Sequence, residues 1–519
     1  MRYLLVTGEL ARGYVLRYAK LSGENFDVTS VPFPVAALLS PKNIINHLRK
    51  IDVKRYDMIL IPGLIRWNAK IVEDAVGIPT YKGPKDAADL PVIAEYLKKG
   101  GKLSYTKPAC ELVGIESTKD FIKEYNKYVK KDMAELKKGE YIKVRNLFIS
   151  KKLPIRIMAE IVDAPKRTKN ELLKIASQYI KNGADIIDIG MVAGEDHSKD
   201  IPSIINEIRR IGDVPLSIDT LSENEIISAV EAGIDIIVSL DRSLIKSIHD
   251  VVKNNVCVII PYDYSENYFP EEPDDRVREM EENIRLARKY GIKKFLADLI
   301  VNPIHTPSLL KSIVSFYKFS IRNPDIQLFA GIGNVTELID SDSHGVNALL
   351  VGLASELGVS ILLTTEASDK TQGSVKEVST AVKMMYMAKK KKVYPKNLGI
   401  DLFVIKEKRM KRFEYTEYPK NKVITVQNKT IPDYDKAGFF KIWIDWDKKR
   451  ICAMHFNWKD FRNPDVVICG YSATDIYLEI IERGLISEHT HAAYIGKELE
   501  KAEIALKINR SYIQDSPLF

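Results

Sequence analysis

The chain has 519 residues, 45% hydrophobic and 29% charged, the composition of a globular and not a disordered protein. That length exceeds one ordinary core and predicts about three domains. Lysine and arginine exceed the acids by 8 charges, spread without a dense basic arm, so nucleic acid is not an expected partner and small anionic ligands are the milder inference.

The opening "MRYLLVTGEL" reads as a first strand and not a signal peptide, and no apolar run reaches membrane-spanning length. Cys110, Cys257, Cys452 and Cys469 lie far apart with no C-x-x-C. Cys257 ("NNVCVII") and Cys469 ("DVVICG") sit in apolar runs that read as buried thiols. A reducing cytoplasm is the expected location.

Residues 1–115 alternate short apolar strands ("RYLLVTG", "FDVTSVP", "YDMILIPGLI") with amphipathic helices ("LARGYVLRYAKL", "PKNIINHLRKI"), the pattern of a small Rossmann-like α/β domain. Residues 116–152 are polar and read as a helical connector. Residues 396–519 change texture. "RFEYTEYP", "KVITVQN" and "FKIWIDWDKKRICAMHF" alternate like antiparallel strands, "NPDVVICGYSATDIYLEIIERG" reads strand–turn–helix, and "HAAYIGKELEKAEIALKI" reads as a long helix, giving an α+β domain.

Between them, residues 153–395 repeat one unit. Four times a helix ends at a glycine and a short apolar run follows, at Gly183, Gly233, Gly291 and Gly358. Continuous apolar strands are covered on both faces. With "PIRIMAEI", "PLSID", "VCVIIP" and "IQLFAGIG" there are eight strands, the requirement of a (β/α)8 TIM barrel. A doubly wound open sheet is the alternative.

Chemistry in such a barrel belongs at the C-terminal strand ends. In order these offer Glu160, Asp188, Asp219, Ser239, Asp263, Asp298, Gly331–Asn334 and Thr364–Glu366. Helix capping does not require Asp219, because Ser222 and Glu225 already form an S-x-x-E capping box. Clustered carboxylates need cationic or hydrogen-donating partners, either a divalent metal or a heterocycle with a donor-rich edge. His197, His305 and His344 show no ligand spacing, so no permanent metal is expected. His489 and His491 stand before the last helix, where capping is the expected role. A carboxylate can accept the adjacent N–H and NH₂ of an amino-oxo-pyrimidine edge, as in a pterin, making Asp219 and Asp298 the natural pair.

"GADIIDIGMVAG", "PLSIDTLS", "DIIVSLDRS" and "KKFLADLIVNP" resemble successive strands of the pterin-binding barrel superfamily, over roughly residues 153–370. That superfamily contains dihydropteroate synthases and methyltetrahydrofolate–corrinoid methyltransferases. The three-part layout resembles the archaeal dihydropteroate synthase-like proteins linked to methanopterin synthesis. The resemblance implies a reduced pterin as substrate, held by Asp219 and Asp298, with Asp188 supporting the site and Ser239 standing where the family often has Asn.

Two features depart from the synthase pattern. "GIGNVTE" and "LLTTEAS" replace its lysine-bearing seventh-strand segment and Arg-x-His eighth-strand end. Leaving-charge stabilisation then falls to Lys166, Arg167 and Lys169 after strand one, or His197 and Lys199 after strand two, with Mg²⁺ on the diphosphate. The same departures resemble the methyltransferase branch, in which Asn334 bonds the pterin near its reacting nitrogen and Glu160 stands on strand one. Three readings follow: condensation of 6-hydroxymethyl-7,8-dihydropterin diphosphate with a ribosyl-arylamine in tetrahydromethanopterin synthesis; methyl transfer from a methyl-tetrahydropterin to a corrinoid or thiol; and a non-catalytic pterin scaffold. A corrinoid protein and a second copy of the chain are the candidate macromolecular partners.

Overall fold

The computed structural model describes residues 1–396, 398–405, 424, 426, 435–460 and 462–519, without the side chains of 114–117. The sequence segments "RFEYTEYP" and "KVITVQN" lie outside the described residues. The rest divides into two compact units, Met1–Leu402 and Phe403–Phe519.

In the first unit, strands β1 (Tyr3–Gly8), β2 (Phe26–Val31), β3 (Met58–Ile61) and β4 (Thr80–Lys82) form a parallel sheet in the order β2-β1-β3-β4. Helix Pro41–Leu48 shows how local sequence sets an element. Ser40 and Asn43 form a reciprocal capping box, Pro41 occupies the first turn, and Ile44 and Leu48 bury one face.

The segment predicted as a helical connector is only partly helical. Helix Ala109–Ala134 is followed by an antiparallel hairpin, β5 (Ile142–Val144) and β6 (Leu147–Ile149). Val144 and Ile149 pack with Met158, Ile186, Val256 and Leu296 in one apolar cluster, so the hairpin plugs the N-terminal end of the barrel. Three-residue strands within a charged stretch leave too short an alternation to be read without that partner surface.

The eight expected barrel strands all form: β7 (Arg156–Ile161), β8 (Ile186–Gly190), β9 (Leu216–Asp219), β10 (Ile236–Leu240), β11 (Val256–Ile259), β12 (Phe295–Ala297), β13 (Leu328–Gly331) and β14 (Val359–Thr365). Every pairing is parallel, and β14 closes on β7 with Thr365 opposite Glu160. Helix Lys169–Asn182 begins at a Thr168–Glu171 capping box and ends at Gly183, whose φ of 105° is the left-handed conformation that glycine adopts freely.

Strand parity sorts the barrel. Ile157, Ala159, Ile187 and Ile189 face the helices, whereas Met158, Ile186, Val238 and Leu296 fill the interior. The same parity carries Glu160, Asp188 and Asp219 inward at the other end of their strands.

The second unit is an antiparallel sheet of β15 (Phe439–Asp445), β16 (Arg450–Phe456) and β17 (Val466–Gly470). Helices Ala473–Glu482 and His489–Ile508 cover one face through Ile476, Ile480, Ile495 and Leu499. Cys469, expected as a buried thiol, is instead joined to Cys452. The β16–β17 register sets the two directly opposite, Cα to Cα 4.2 Å, a proximity that a spacing of 17 residues does not reveal. Cys257 is a buried free thiol, as expected. No helix among the described residues is long and apolar enough to cross a membrane. The His491 ring N–H donates to buried Asp435 at 2.9 Å, and the same carboxylate accepts the backbone N–H groups of Ser487 and Glu488 just before the last helix.

Candidate functional site

Four carboxylates gather at the C-terminal end of the barrel. Asp188 is fully buried; the Ser217 hydroxyl donates to its Oδ1 at 2.5 Å, and Oδ2 has no partner. Burial pushes Asp188 well above the ordinary carboxylate range, reinforced by the charges of Asp219 and Glu160. Glu160 is pushed up to about 7 by burial first, then by Asp219, Asp163 and Glu337.

Asp219 stands opposite Gly190 in register, and a Cβ added at Gly190 would lie 2.4 Å from Glu160 Oε1. The glycine therefore makes room for Glu160 beside Asp219. Burial raises Asp219, and a hydrogen bond from Ser239 opposes that rise. Ser239 itself has φ 70° at a register shift between Ile237 and Leu240. A strained bulge of this kind re-aims a side chain at a strand end.

Asp298 arrives from β12 on the far side. Burial pushes it up to about 7, the Ile300 N–H (2.8 Å) draws it down, Asp219 raises it, and the Arg276 guanidinium lowers it. Asp219 and Asp298 are thus close enough to feel each other's charge. Four acids with one cation behind them cannot all ionise, so the mouth is built for a ligand that donates hydrogen bonds.

Two further polar atoms at these ends are buried without partners, Asn302 Nδ2 and Thr365 Oγ1. Tyr264 stands nearby: its phenol is raised by burial, then by Tyr262, Asp241 and Asp219, and its ring lies 4.2 Å from that of Tyr262. Thr365 falls within the strand-end residues Thr364–Glu366 read from the sequence, whereas Asn302, Ser217 and Tyr264 were not singled out there. Strand parity would have marked Ser217 as inward-facing, but nothing local marks Asn302 or Tyr264.

The remaining candidates are placed differently. Asp263 is tied down by the Ser265 N–H (3.1 Å) and hydroxyl (2.5 Å). Asn334 is exposed on the rim, its amide donating to the Val301 carbonyl at 2.9 Å. Lys166 lies 3.4 Å from Glu195, and the Arg167 guanidinium donates to the Val162 carbonyl at 3.4 Å. Lys169 opens its helix, and Lys199 is exposed. His197 is held between Asp200 and Glu195 at 3.0 Å each; hydrogen bonding to Asp200 and then to Glu195 raises its pKa. Glu366 accepts the Val375 N–H at 3.1 Å, near the start of helix Ser374–Lys391.

The expected capping box at Ser222 is half formed. Ser222 accepts the Glu225 N–H, but the Glu225 carboxylate turns to Thr220 and to the His197 N–H at 2.9 Å. That buried acceptor links the loops after β8 and β9, an arrangement that only their spatial proximity permits. Among the described residues no group of three or more His, Cys, Asp or Glu is arranged to hold a metal ion.

A closed parallel barrel with acids converging from β9 and β12 defines a dihydropteroate synthase-like pterin-binding TIM barrel. Residues 163–308 match the family model of pterin binding enzymes, and residues 434–515 match the PterinBD-DUF4346 model. The uncharacterized protein MJ0107 of Methanocaldococcus jannaschii is 38% identical over 530 residues, covering 100% of this chain and 99% of that protein. This chain belongs to the same family. A dihydropteroate synthase of Clostridium beijerinckii is 27% identical over 145 residues, 25% of this chain and 52% of that one. The solved Yersinia pestis dihydropteroate synthase with a pterine-sulfa conjugate is 17% identical, covers 48% of this chain and 99% of its own, and has a TM-score of 0.39.

Proposed function

We propose that this protein is a transferase that holds a reduced pterin across Asp219 and Asp298 and condenses 6-hydroxymethyl-7,8-dihydropterin diphosphate with a ribosyl-arylamine. The observation that carries this reading is the convergence of those two carboxylates, from β9 and β12, in a mouth where the buried Arg276 is the cation that acts on Asp298. A pterin's adjacent N–H and NH₂ supply the donors such acids need. In the reaction the amine nitrogen bonds to the exocyclic methylene carbon, the carbon–oxygen bond to the diphosphate breaks, and the amine releases a proton. The barrel orients the two reactants, and Lys166 and Arg167 on the loop after β7 meet the leaving charge, with the diphosphate entering as its Mg²⁺ complex. Tetrahydromethanopterin synthesis is the pathway this chemistry serves, in the cytoplasm.

Methyl transfer from a methyl-tetrahydropterin is a second reading, favoured by one observation. Glu160, pushed up to about 7 beside Asp219, is protonated to a useful degree at neutral pH and can donate a proton to a ring nitrogen.

Binding of a dihydropterin, followed by its fluorescence, tests the shared core of both readings. Asp219→Asn and Asp298→Asn each weaken it by about 100-fold if the pair grips the ring. Undiminished binding in both variants refutes the pterin site. Turnover then separates the reactions. Condensation releases pyrophosphate and falls with Lys166→Gln/Arg167→Gln, whereas methyl transfer proceeds without phosphate and falls with Glu160→Gln and Asn334→Ala.

A further inference from the structure

A second cleft opens at the opposite, N-terminal end of the barrel. It has a volume of about 630 Å³, within the range of small-molecule sites. Its walls come from the plugging hairpin, from the turn into β12 and from the turn into β13. Five cations stand around it: Lys143, Arg145, Arg288, Lys293 and Lys294; one acid, Asp325, joins them.

Arg145 is neutralised, its guanidinium lying 2.5 Å from Asp213 and 2.8 Å from Asp235. The other four make no ion pair among the described residues. Two are held in place by rings instead: the Arg288 guanidinium sits 5.4 Å over Phe295, and the Lys143 ammonium 5.4 Å over Phe148. Elsewhere on this end of the barrel the fold compensates such charges, as where Lys152 meets Glu140 and Arg209 meets Asp235. Uncompensated like charges facing one concavity repel one another and focus a positive potential there.

We propose that this cleft is a binding site for a small anion bearing two or more phosphate groups, distinct from the pterin mouth. Four unpaired cations match a di- or triphosphate better than a single carboxylate, and a planar guanidinium beside lysine ammonium groups is the donor set that phosphate oxygens take. Lys143 rides on the hairpin that seals the barrel, so occupation of the cleft stiffens that plug without touching the acids at the other end.

Calorimetric titration of the full-length chain with tripolyphosphate tests the site. The expected result is saturable binding of one equivalent, weakened about tenfold or more by Arg288→Gln/Lys294→Gln and by rising salt. Lys166→Gln/Arg167→Gln at the mouth, where the diphosphate substrate is proposed to sit, leaves the cleft's equivalent intact, as does Asp298→Asn. Arg288, Lys294, Lys166 and Arg167 are exposed, and thermal melting checks that each variant folds. The proposal is overturned if the cleft variants bind as well as the parent chain, or if the mouth variants lose the binding. It is equally overturned if binding is non-saturable surface charge, or if long RNA binds through these lysines and tripolyphosphate does not.

Discussion

Gly190 and Glu160 occupy one space: a Cβ on the first would stand 2.4 Å from Oε1 of the second. Gly190→Ala therefore forces Glu160 away from Asp219, because the backbone of β8 is fixed by pairs on both sides. Overpacking of this kind costs about 1–3 kcal/mol, and pterin affinity should fall about tenfold. Urea unfolding read beside a fluorescence titration checks both. An alanine variant with unchanged affinity would show that the position of Glu160 is immaterial.

Asp298 makes stability depend on pH with a definite sign. Its folded pKa, about 7, lies above the ordinary 3.8, so the folded chain binds the proton more tightly. Stability from this group is full below pH 3.8, declines as pH rises through 7, and is flat beyond. Glu160 adds a decline over the same window. Asp298→Asn should accordingly stabilise the ligand-free protein at pH 8, by roughly 1–2 kcal/mol once solvent access to the open mouth is discounted, and by nothing at pH 4. Chemical denaturation at the two pH values measures the difference. The same variant loses the pterin, so stability and binding move in opposite directions.

Ser239 combines a left-handed backbone with a hydroxyl aimed at Asp219. Ser239→Ala removes the hydrogen bond and keeps the strain, whereas Ser239→Gly removes both. Glycine should be the more stable replacement by about 1 kcal/mol, with the two equally impaired in pterin binding. Equal melting temperatures would mean that the bulge stores no strain.

Arg276 is fully buried, with no carboxylate in contact among the described residues. It donates to the carbonyls of Pro270 (3.0 Å), Leu299 (3.3 Å) and Ile300 (3.3 Å) and to the Ser312 hydroxyl (3.2 Å), and burial brings its pKa down to about 10. It fixes the loop that carries Asp298 and Asn302. Arg276→Met strands several carbonyls at once, an expected loss of about 3–5 kcal/mol. The pH midpoint of the Asp298 titration should also rise, since the cation that lowers it is gone; a carboxyl-resolved NMR titration reads that shift.

The eight barrel strands were legible because each is a short apolar run and four of them follow a helix that stops at glycine. Hydrophobic burial and left-handed backbone freedom are properties of local sequence, so Gly183, Gly233, Gly291 and Gly358 announce the repeat before any contact forms. The acids at the strand ends were legible for the same reason, since a carboxylate closing an apolar run has no other use for its position. Closure itself was not local. Whether β14 meets β7, which end the Ile142–Ile149 hairpin seals, and that Cys452 faces Cys469 all depend on segments far apart in the chain. The protonation of the mouth depends on them too, because Glu160, Asp188, Asp219 and Asp298 raise one another only once four strands bring them into one dehydrated space. Residue order chose the groups; the curvature of the closed sheet decided which of them share a field.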